Sequence, residues 1–165
     1  MTAAPGQRWK PILIAAAAAV AVAGLGALMT DLGPWYVGLR KPSWQPPDWL
    51  FGPAWTLIFG LCALSGYLAW RNAPNRGGRD GVIALFALNG FLNVFWSALF
   101  FRLKRPDWAL PEAGLLWLSI LLMIVALFRY SKTASALLLP YLAWVLFAAV
   151  LNGAVVELNA PFAGP

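Results

Sequence analysis

The chain has 165 residues, of which 61% are hydrophobic and 11% are charged. A soluble domain has about 45–50% apolar and about 25% charged residues, so this composition indicates a membrane protein. The sequence contains no histidine, which excludes imidazole as a ligand for zinc or haem iron. The net charge of +6 comes from scattered basic residues, without the basic stripe or motif that indicates nucleic-acid binding.

Five stretches of the chain are apolar and long enough to cross a membrane as helices, which takes about 20 residues each. In chain order they are 11–29, 50–70, 81–101, 109–128 and 134–158. The connections are short except for the one between the first two stretches, so neighbouring helices should be mostly antiparallel. We therefore predict an all-α fold, an integral membrane bundle of five transmembrane helices in a single domain over residues 1–165.

The first stretch has two features that leave alternatives open. It follows Arg8 and Lys10 as the apolar part of a signal peptide would, but about 19 apolar residues are long for one, so we expect the helix to be retained. Small residues also recur every four positions along it, at Ala15, Ala19, Ala23 and Ala27. This pattern permits close helix approach, either inside the molecule or at the face of a homodimer.

Basic residues flank the helices unequally on the two sides of the predicted bundle. One side has Arg8, Lys10, Arg71, Arg76, Arg79, Arg129 and Lys132, and the other has Arg40, Lys41, Arg102, Lys104 and Arg105. Cytoplasmic loops carry the excess of basic residues. The small excess predicts a cytoplasmic N-terminus, with the long first connection on the opposite face.

The first connection, residues 30–52, is rich in proline and tryptophan. Prolines stiffen a loop because they fix φ near about −65°. Indole rings, here those of Trp35, Trp44 and Trp49, favour places where one end is apolar and the other is in water. We predict a stiff lid that rests on a cavity within the membrane.

Polar and aromatic side chains share one face of the predicted third helix. Asn89, Asn93, Trp96 and Phe100 are spaced by four, three and four residues. Amides within a membrane need hydrogen-bond partners. They either link helices or contact a ligand, and the spacing alone favours links between helices.

The predicted fifth helix carries a stripe of four residues, Trp144, Phe147, Ala148 and Leu151. Such a stripe is typical of core packing. Trp144 is unusual because it lies well inside the helix, where its indole N–H needs a partner, and Pro140 nearby loosens the backbone. Core packing and cavity lining are equally consistent with this pattern.

Conventional catalytic sets are missing from the sequence, which has no nucleophile elbow, phosphate-binding glycine loop or histidine. The single Cys62 lies in an apolar run and is predicted to be a buried hydrophobic residue. A steroid-recognition pattern can be drawn through Leu127, Tyr130 and Lys132, but the last two more simply anchor a helix end at the membrane surface. We expect no metal site, no required cofactor and no conventional enzyme.

Three blocks of residues are distinctive in combination. The first is Trp35-Tyr36, Leu39, Lys41-Pro42, Trp44, Pro46-Pro47, Trp49, Phe51-Gly52-Pro53 and Trp55. The second is Asn93, Trp96 and Phe100-Phe101, and the third is Pro140-Tyr141-Leu142, Trp144 and Leu151-Asn152. Over residues 11–159 the chain resembles the translocator protein family, also called tryptophan-rich sensory proteins or peripheral benzodiazepine receptors.

This resemblance implies a five-helix bundle, often a homodimer, with a pocket near the lid. It implies porphyrins, haem-type tetrapyrroles and synthetic isoquinoline or benzodiazepine compounds as ligands. In bacterial members, paired tryptophans are linked to light-dependent protoporphyrin breakdown, a catalytic role that would fall to Trp55 and Trp144. The implied ligand-binding residues are Trp44, Trp49, Trp55, Asn89, Asn93, Trp144, Phe147, Ala148 and Leu151.

The sequence departs from the family pattern at several positions. Ser43 precedes Trp44 where many members have adjacent tryptophans, Asn89 replaces a frequent glutamine, and Phe147 replaces a frequent alanine, which would narrow the pocket. Residues 154–165 contain no Tyr, Lys or Arg, so the cholesterol motif of animal members is absent.

The resemblance therefore implies a tetrapyrrole-binding membrane sensor or regulator, with light-dependent degradation of protoporphyrin as an activity. The alternative is a transporter of porphyrin, sterol or other lipophilic small molecules. A third interpretation is a structural membrane partner. The expected partners are the lipid bilayer, a porphyrin or haem ligand and a second copy of the chain.

Overall fold

The computed structural model describes residues 10–162, and these form helices and connecting loops. The α-helices are α1 (Lys10–Met29), α2 (Pro34–Gly38), α3 (Phe51–Asn72), α4 (Arg76–Ser97), α5 (Pro106–Phe128), α6 (Lys132–Ala136) and α7 (Leu139–Asn159). Five helical segments are long and apolar enough to cross a membrane: Lys10–Met29, Asp48–Asn72, Arg76–Arg102, Pro106–Phe128 and Lys132–Asn159. The predicted all-α bundle of five spans, and with it a multi-pass integral membrane protein, is confirmed.

Helices α4 and α5 begin several residues earlier than predicted, because a polar cap starts the first and a proline starts the second. α4 begins at Arg76 and not at 81, since the side chain of Asn75 accepts a hydrogen bond of 2.8 Å from the Gly78 N–H. α5 begins at Pro106 and not at 109, where a proline fits the first turn because its missing N–H is not needed.

The last span is interrupted, although the sequence predicts one continuous helix over 134–158. The short helix α6 is capped by Ser131, whose hydroxyl accepts a hydrogen bond of 3.1 Å from the Ala134 N–H. The long helix α7 then begins at Leu139 with Pro140 in its first turn. Proline fits a first turn because an N–H there would have no partner within the helix, whereas inside a continuous helix it would remove a hydrogen bond.

The core of the bundle is built around α5, which packs against α4, α6 and α7. Leu116, Ile120, Met123 and Leu127 follow one another at helical spacing and are buried. Because Leu127 is fully buried, it does not share a surface with Tyr130 and Lys132 as a steroid-recognition motif would require.

The first helix lies against α3 and α4 at the edge of the bundle. Gly90 permits the contact with α4, since a Cβ at this position would lie 2.9 Å from a methyl group of Val22. The guanidinium of Arg102 donates a hydrogen bond to the carbonyl of Leu28 and joins the other end of α1 to α4. Arg8, counted in the charge asymmetry, lies outside the described residues together with the rest of 1–9 and 163–165.

Candidate functional site

A cavity of about 890 Å³ opens at the end of the bundle where the 30–50 loop connects α1 to α3. Its wall is formed by α1, the loop, α3, α7, the last turns of α4 and the π-helical turn that follows them. Ligand sites for small molecules have volumes of about 300–1,000 Å³. The cavity is therefore large enough for one sizeable organic ligand.

The first group of aromatic rings on the wall comes from α3 and α7. The indole of Trp55 stacks on the ring of Phe59, with ring centres 5.5 Å apart. Trp55 and Trp144 meet edge to face, with centres 6.4 Å apart and planes at 87°. Phe51 lies edge-on to Trp144 at 5.7 Å. This α3–α7 aromatic group combines a large apolar surface with fixed ring orientations.

The second aromatic group comes from the end of α4 and from the short helix α2. Trp96 lies 5.2 Å from Phe100, Phe100 lies 4.7 Å from Phe101, and Tyr36 lies 5.7 Å from Phe101, all between ring centres. A π-helical turn over Ala98–Arg102 positions these rings. Phe100 and Phe101 are adjacent in this turn, and both line the cavity.

Amide side chains join the helices that form the wall. The Asn93 amide donates a hydrogen bond of 3.1 Å to the Tyr141 hydroxyl. The indole N–H of Trp96 donates to Asn152 at 3.3 Å, and the Asn152 amide donates to the Pro106 carbonyl at 2.9 Å. These bonds join α4, α5 and α7 and orient the Trp96 ring.

Trp144 differs from Trp96 in the hydrogen bonding of its indole N–H. Its indole nitrogen is buried and has no hydrogen-bond partner within residues 10–162. A buried indole N–H normally has one. The orientation of Trp144 therefore depends on its aromatic neighbours.

A polar cluster, defined by Tyr36, Lys41, Gln45 and Asp48, lies on the cavity wall within the loop. The Tyr36 hydroxyl and the Gln45 amide each donate a hydrogen bond of 3.0 Å to Oδ1 of Asp48. The Lys41 ammonium lies 3.6 Å from Oδ2 of Asp48 and 3.7 Å above the Tyr36 ring centre. Burial and the charge of Asp48 raise the pKa of Tyr36 to about 12, so its hydroxyl remains a donor at neutral pH.

The loop is also attached to the end of α7 through one asparagine side chain. Oδ1 of Asn159 accepts a hydrogen bond from the Arg40 N–H, and Nδ2 of Asn159 donates one to the Arg40 carbonyl, each 2.8 Å long. This pair holds the backbone beside Lys41, whereas the Arg40 side chain is exposed and is not part of the wall.

Most of the residues predicted to bind a ligand lie on this wall. They are Trp49, Trp55, Asn93, Trp144, Ala148 and Leu151. Trp44 and Phe147 are not part of the wall but form an outer layer, with ring centres 6.1 Å apart and Phe147 5.5 Å from Trp144. Asn89 is buried and donates a hydrogen bond of 2.9 Å to Ser119, so it joins α4 to α5. Ligand contact by all nine residues stays a prediction.

Several wall residues were not in the predicted set. They are Tyr36, Lys41, Asp48, Trp96, Phe100, Phe101 and Asn152. The shared face of Asn93, Trp96 and Phe100 was a usable signal for part of this group. Three of the regularly spaced small residues of α1, Ala19, Ala23 and Ala27, also line the cavity. Ala15, the first member of the repeat, is not on the wall, and a role of the repeat in a homodimer stays a prediction.

Comparison with known proteins identifies relatives over nearly the whole chain. The model of the TspO/MBR family matches residues 13–158. The chain is 44% identical to the tryptophan-rich protein TspO of Archaeoglobus fulgidus over 147 residues, covering 89% of this chain and 94% of that protein. It is 35% identical to the tryptophan-rich sensory protein of Cereibacter sphaeroides over 151 residues, 92% of each chain.

Another relative comes from an animal. The chain is 37% identical to the human translocator protein over 122 residues, covering 72% of this chain and 70% of that protein. Residues 13–158, which the family model matches, contain the loop, both aromatic groups and the helices that carry them. This chain is a member of the TspO/MBR family of integral membrane proteins.

Proposed function

We propose that the protein binds a porphyrin or haem-type tetrapyrrole in its cavity and acts as a membrane sensor or regulator. The observation that carries this proposal is the pair of aromatic groups on the wall of one cavity of about 890 Å³. Relatives named as sensory and translocator proteins support a role in handling a ligand within the membrane.

The chemistry of the wall matches a flat, largely apolar ring system. Aromatic pairs contribute about 0.5–1.5 kcal/mol each beyond the burial of their apolar area. Trp55 and Trp144 of the first aromatic group and Trp96 and Phe100 of the second offer several such contacts. Because the sequence has no histidine to ligate iron, we expect metal-free protoporphyrin to bind as well as haem.

Light-dependent degradation of protoporphyrin is the activity that we propose for the paired indoles. An illuminated porphyrin converts dioxygen into oxidising species, and electron-rich indoles beside the ring are oxidised readily. Trp55 and Trp144 are in edge-to-face contact on the wall, so both would lie beside a bound ring. We assign the photochemical role to this pair.

Quenching of tryptophan fluorescence by added protoporphyrin tests the binding proposal. We expect saturable quenching, and a weaker affinity by about threefold to tenfold for Trp55→Phe and Trp144→Phe, since each loses part of an aromatic contact. Trp70→Phe is the matched control, because Trp70 is at the other end of α3 beside Arg79. Unsaturable quenching, or equal weakening in all three variants, would contradict the proposal.

Illumination of the complex tests the photochemical part separately. At saturating protoporphyrin we expect slower loss of porphyrin absorbance in Trp144→Phe than in the wild type or in Trp70→Phe. Equal rates in all three proteins would remove Trp144 from the mechanism while leaving the binding proposal intact.

Transport of a porphyrin, sterol or other lipophilic molecule is the second candidate, and the depth of the cavity favours it. The wall includes Ala16, which precedes Met29 by 13 residues, so the cavity reaches about 20 Å along α1 at about 1.5 Å per residue. A transporter needs access from both sides of the membrane. Porphyrin flux into proteoliposomes above that into empty liposomes would support transport, and equal flux would exclude it.

A further inference from the structure

Two charged side chains face each other at the outer end of the cavity. Among the wall residues, Lys41 is the cation and Asp48 is the anion. Their charged groups are 3.6 Å apart, and their side chains are 24% and 49% exposed. They are therefore close enough to pair and open enough to meet the polar end of a ligand.

We propose that Asp48 determines which ligand charge the cavity accepts, by occupying Lys41 and repelling carboxylates. The proposal rests on the tetrapyrrole-binding function and deepens it, because natural porphyrins differ in the number of carboxylates that they carry. With Asp48 in place, the outer end of the cavity favours a ring whose polar edge is uncharged or carries few carboxylates.

The energetic reason is the competition between two anions for one cation. A partly exposed ion pair is weak, so a ligand carboxylate can replace Asp48 as the partner of Lys41. The ligand carboxylate then lies beside the Asp48 carboxylate, and two like charges at such a distance repel each other. The attraction by Lys41 is therefore partly cancelled for every anionic ligand.

The two oxygens of Asp48 have different partners, which makes the proposal separable by mutation. Oδ1 accepts the hydrogen bonds from Tyr36 and Gln45 and holds the loop together. Oδ2 faces Lys41. The variant Asp48→Asn keeps an oxygen that can accept the hydrogen bonds from Tyr36 and Gln45. It removes the negative charge that faces Lys41. In Asp48→Asn the Lys41 ammonium keeps its cation–π contact with the Tyr36 ring, whose centre is 3.7 Å away.

The experiment compares two probes of the same ring size. Protoporphyrin carries two carboxylates, and its dimethyl ester carries none. Binding of each is measured by tryptophan quenching in an uncharged detergent for the wild type, Asp48→Asn, Lys41→Met and Asp31→Asn. Asp31 is the matched control, because it lies in the same loop, caps the Gly33 N–H at 2.9 Å and is not on the cavity wall.

We expect Asp48→Asn to bind the diacid about threefold to tenfold more tightly than the wild type, with ester binding unchanged. Lys41→Met should weaken diacid binding by a similar factor, again with ester binding unchanged, and Asp31→Asn should change neither. The opposite signs for the two wall variants distinguish charge selection from a general disturbance of the loop.

An unchanged diacid-to-ester affinity ratio in Asp48→Asn would overturn this proposal while leaving porphyrin binding in place. If Asp48→Asn does not fold, Lys41→Met decides, and an unchanged ratio there overturns the proposal equally. Failure of the wild type to bind either probe would overturn the tetrapyrrole function and this inference together.

Discussion

Helices α1 and α5 are both apolar spans of similar length, yet they have opposite surroundings in the bundle. α5 has nine buried residues, whereas α1 has none within Lys10–Met29. α5 is surrounded by α4, α6 and α7, and α1 lies at the edge with the cavity on its inner side. The buried core therefore lies around α5, whereas the inner side of α1 borders the space for a ligand.

This difference follows from the side chains of α5 and α1. Leu116, Ile120 and Met123 of α5 fill the space between helices. On α1, Ala16, Ala19 and Ala23 leave space unfilled. Close packing stabilises a membrane bundle, so smaller side chains in the core around α5 should destabilise the fold. Larger side chains on the cavity wall should block ligand binding.

The largest expected effect comes from disrupting the core around α5. Leu127 is fully buried, and Leu127→Ala should lower the free energy of unfolding by about 2–5 kcal/mol through lost contacts and a cavity. Leu13→Ala on α1 is the matched control, since Leu13 is 65% exposed and should change stability by at most about 0.5 kcal/mol. Denaturation in detergent micelles measures both, and equal losses would contradict this difference between α5 and α1.

The next effect comes from filling the cavity. A Cβ added at Gly60 meets no atom within 4 Å, and Gly60 lines the cavity. Gly60→Leu should therefore leave unfolding nearly unchanged and weaken protoporphyrin binding about tenfold by occupying the space. Gly114→Leu serves as the control, because Gly114 is equally unobstructed but is not on the wall. Undiminished binding by Gly60→Leu would place the ligand elsewhere.

A smaller effect is expected where the loop is attached to the end of α7. Asn159→Ala removes both hydrogen bonds to the Arg40 backbone and should lower the stability of the loop by about 1–3 kcal/mol. Hydrogen exchange at the Arg40 amide should accelerate, while the amides of α5 keep their protection. Asn72→Ala is the control, since the Asn72 amide donates only to the Leu68 carbonyl of its own helix. Equal exchange at Arg40 in wild type and Asn159→Ala would show that the tether is not needed.

The smallest effect concerns the titration of Tyr36. Its pKa is raised to about 12 by burial first and by Asp48 second, so Asp48→Asn should lower that pKa without restoring the ordinary value of about 10. The pKa of Tyr36 is higher in the folded than in the unfolded chain. The stability that protonated Tyr36 contributes is therefore fully present below about pH 10 and is lost as the pH rises towards about 12. Ultraviolet titration detects the shift as a phenolate signal that is missing in Tyr36→Phe. An unshifted signal in Asp48→Asn would contradict the assigned cause.

The five spans were predictable because apolar length alone decides membrane crossing. Capping by Asn75 and Ser131 and the start of α7 at Leu139 were harder to predict, since a membrane helix does not need a polar cap to reach its length. Hydropathy also does not distinguish α1 from α5, because a leucine facing lipid and a leucine in the core have the same apolar neighbours. Burial in this bundle therefore had to come from the structure.

The candidate site was partly predictable for a similar reason. Trp55 and Trp144 stand out because large rings with an N–H inside a membrane need a special environment. The π-helical turn that brings Phe100 and Phe101 to the wall has no sequence signal comparable to proline or glycine. The pairing of Asn159 with Arg40 joins residues 119 positions apart, which no local pattern indicates. The role of the 30–50 loop as a stiff lid on the cavity stays a prediction.

The most direct test is a crystal structure of the protein grown with protoporphyrin. We expect a porphyrin ring inside the cavity, in contact with Trp55 and Trp144 and with its carboxylate edge towards Lys41. A ring bound on the lipid-facing outer surface of the helices, with those two indoles untouched, would contradict it.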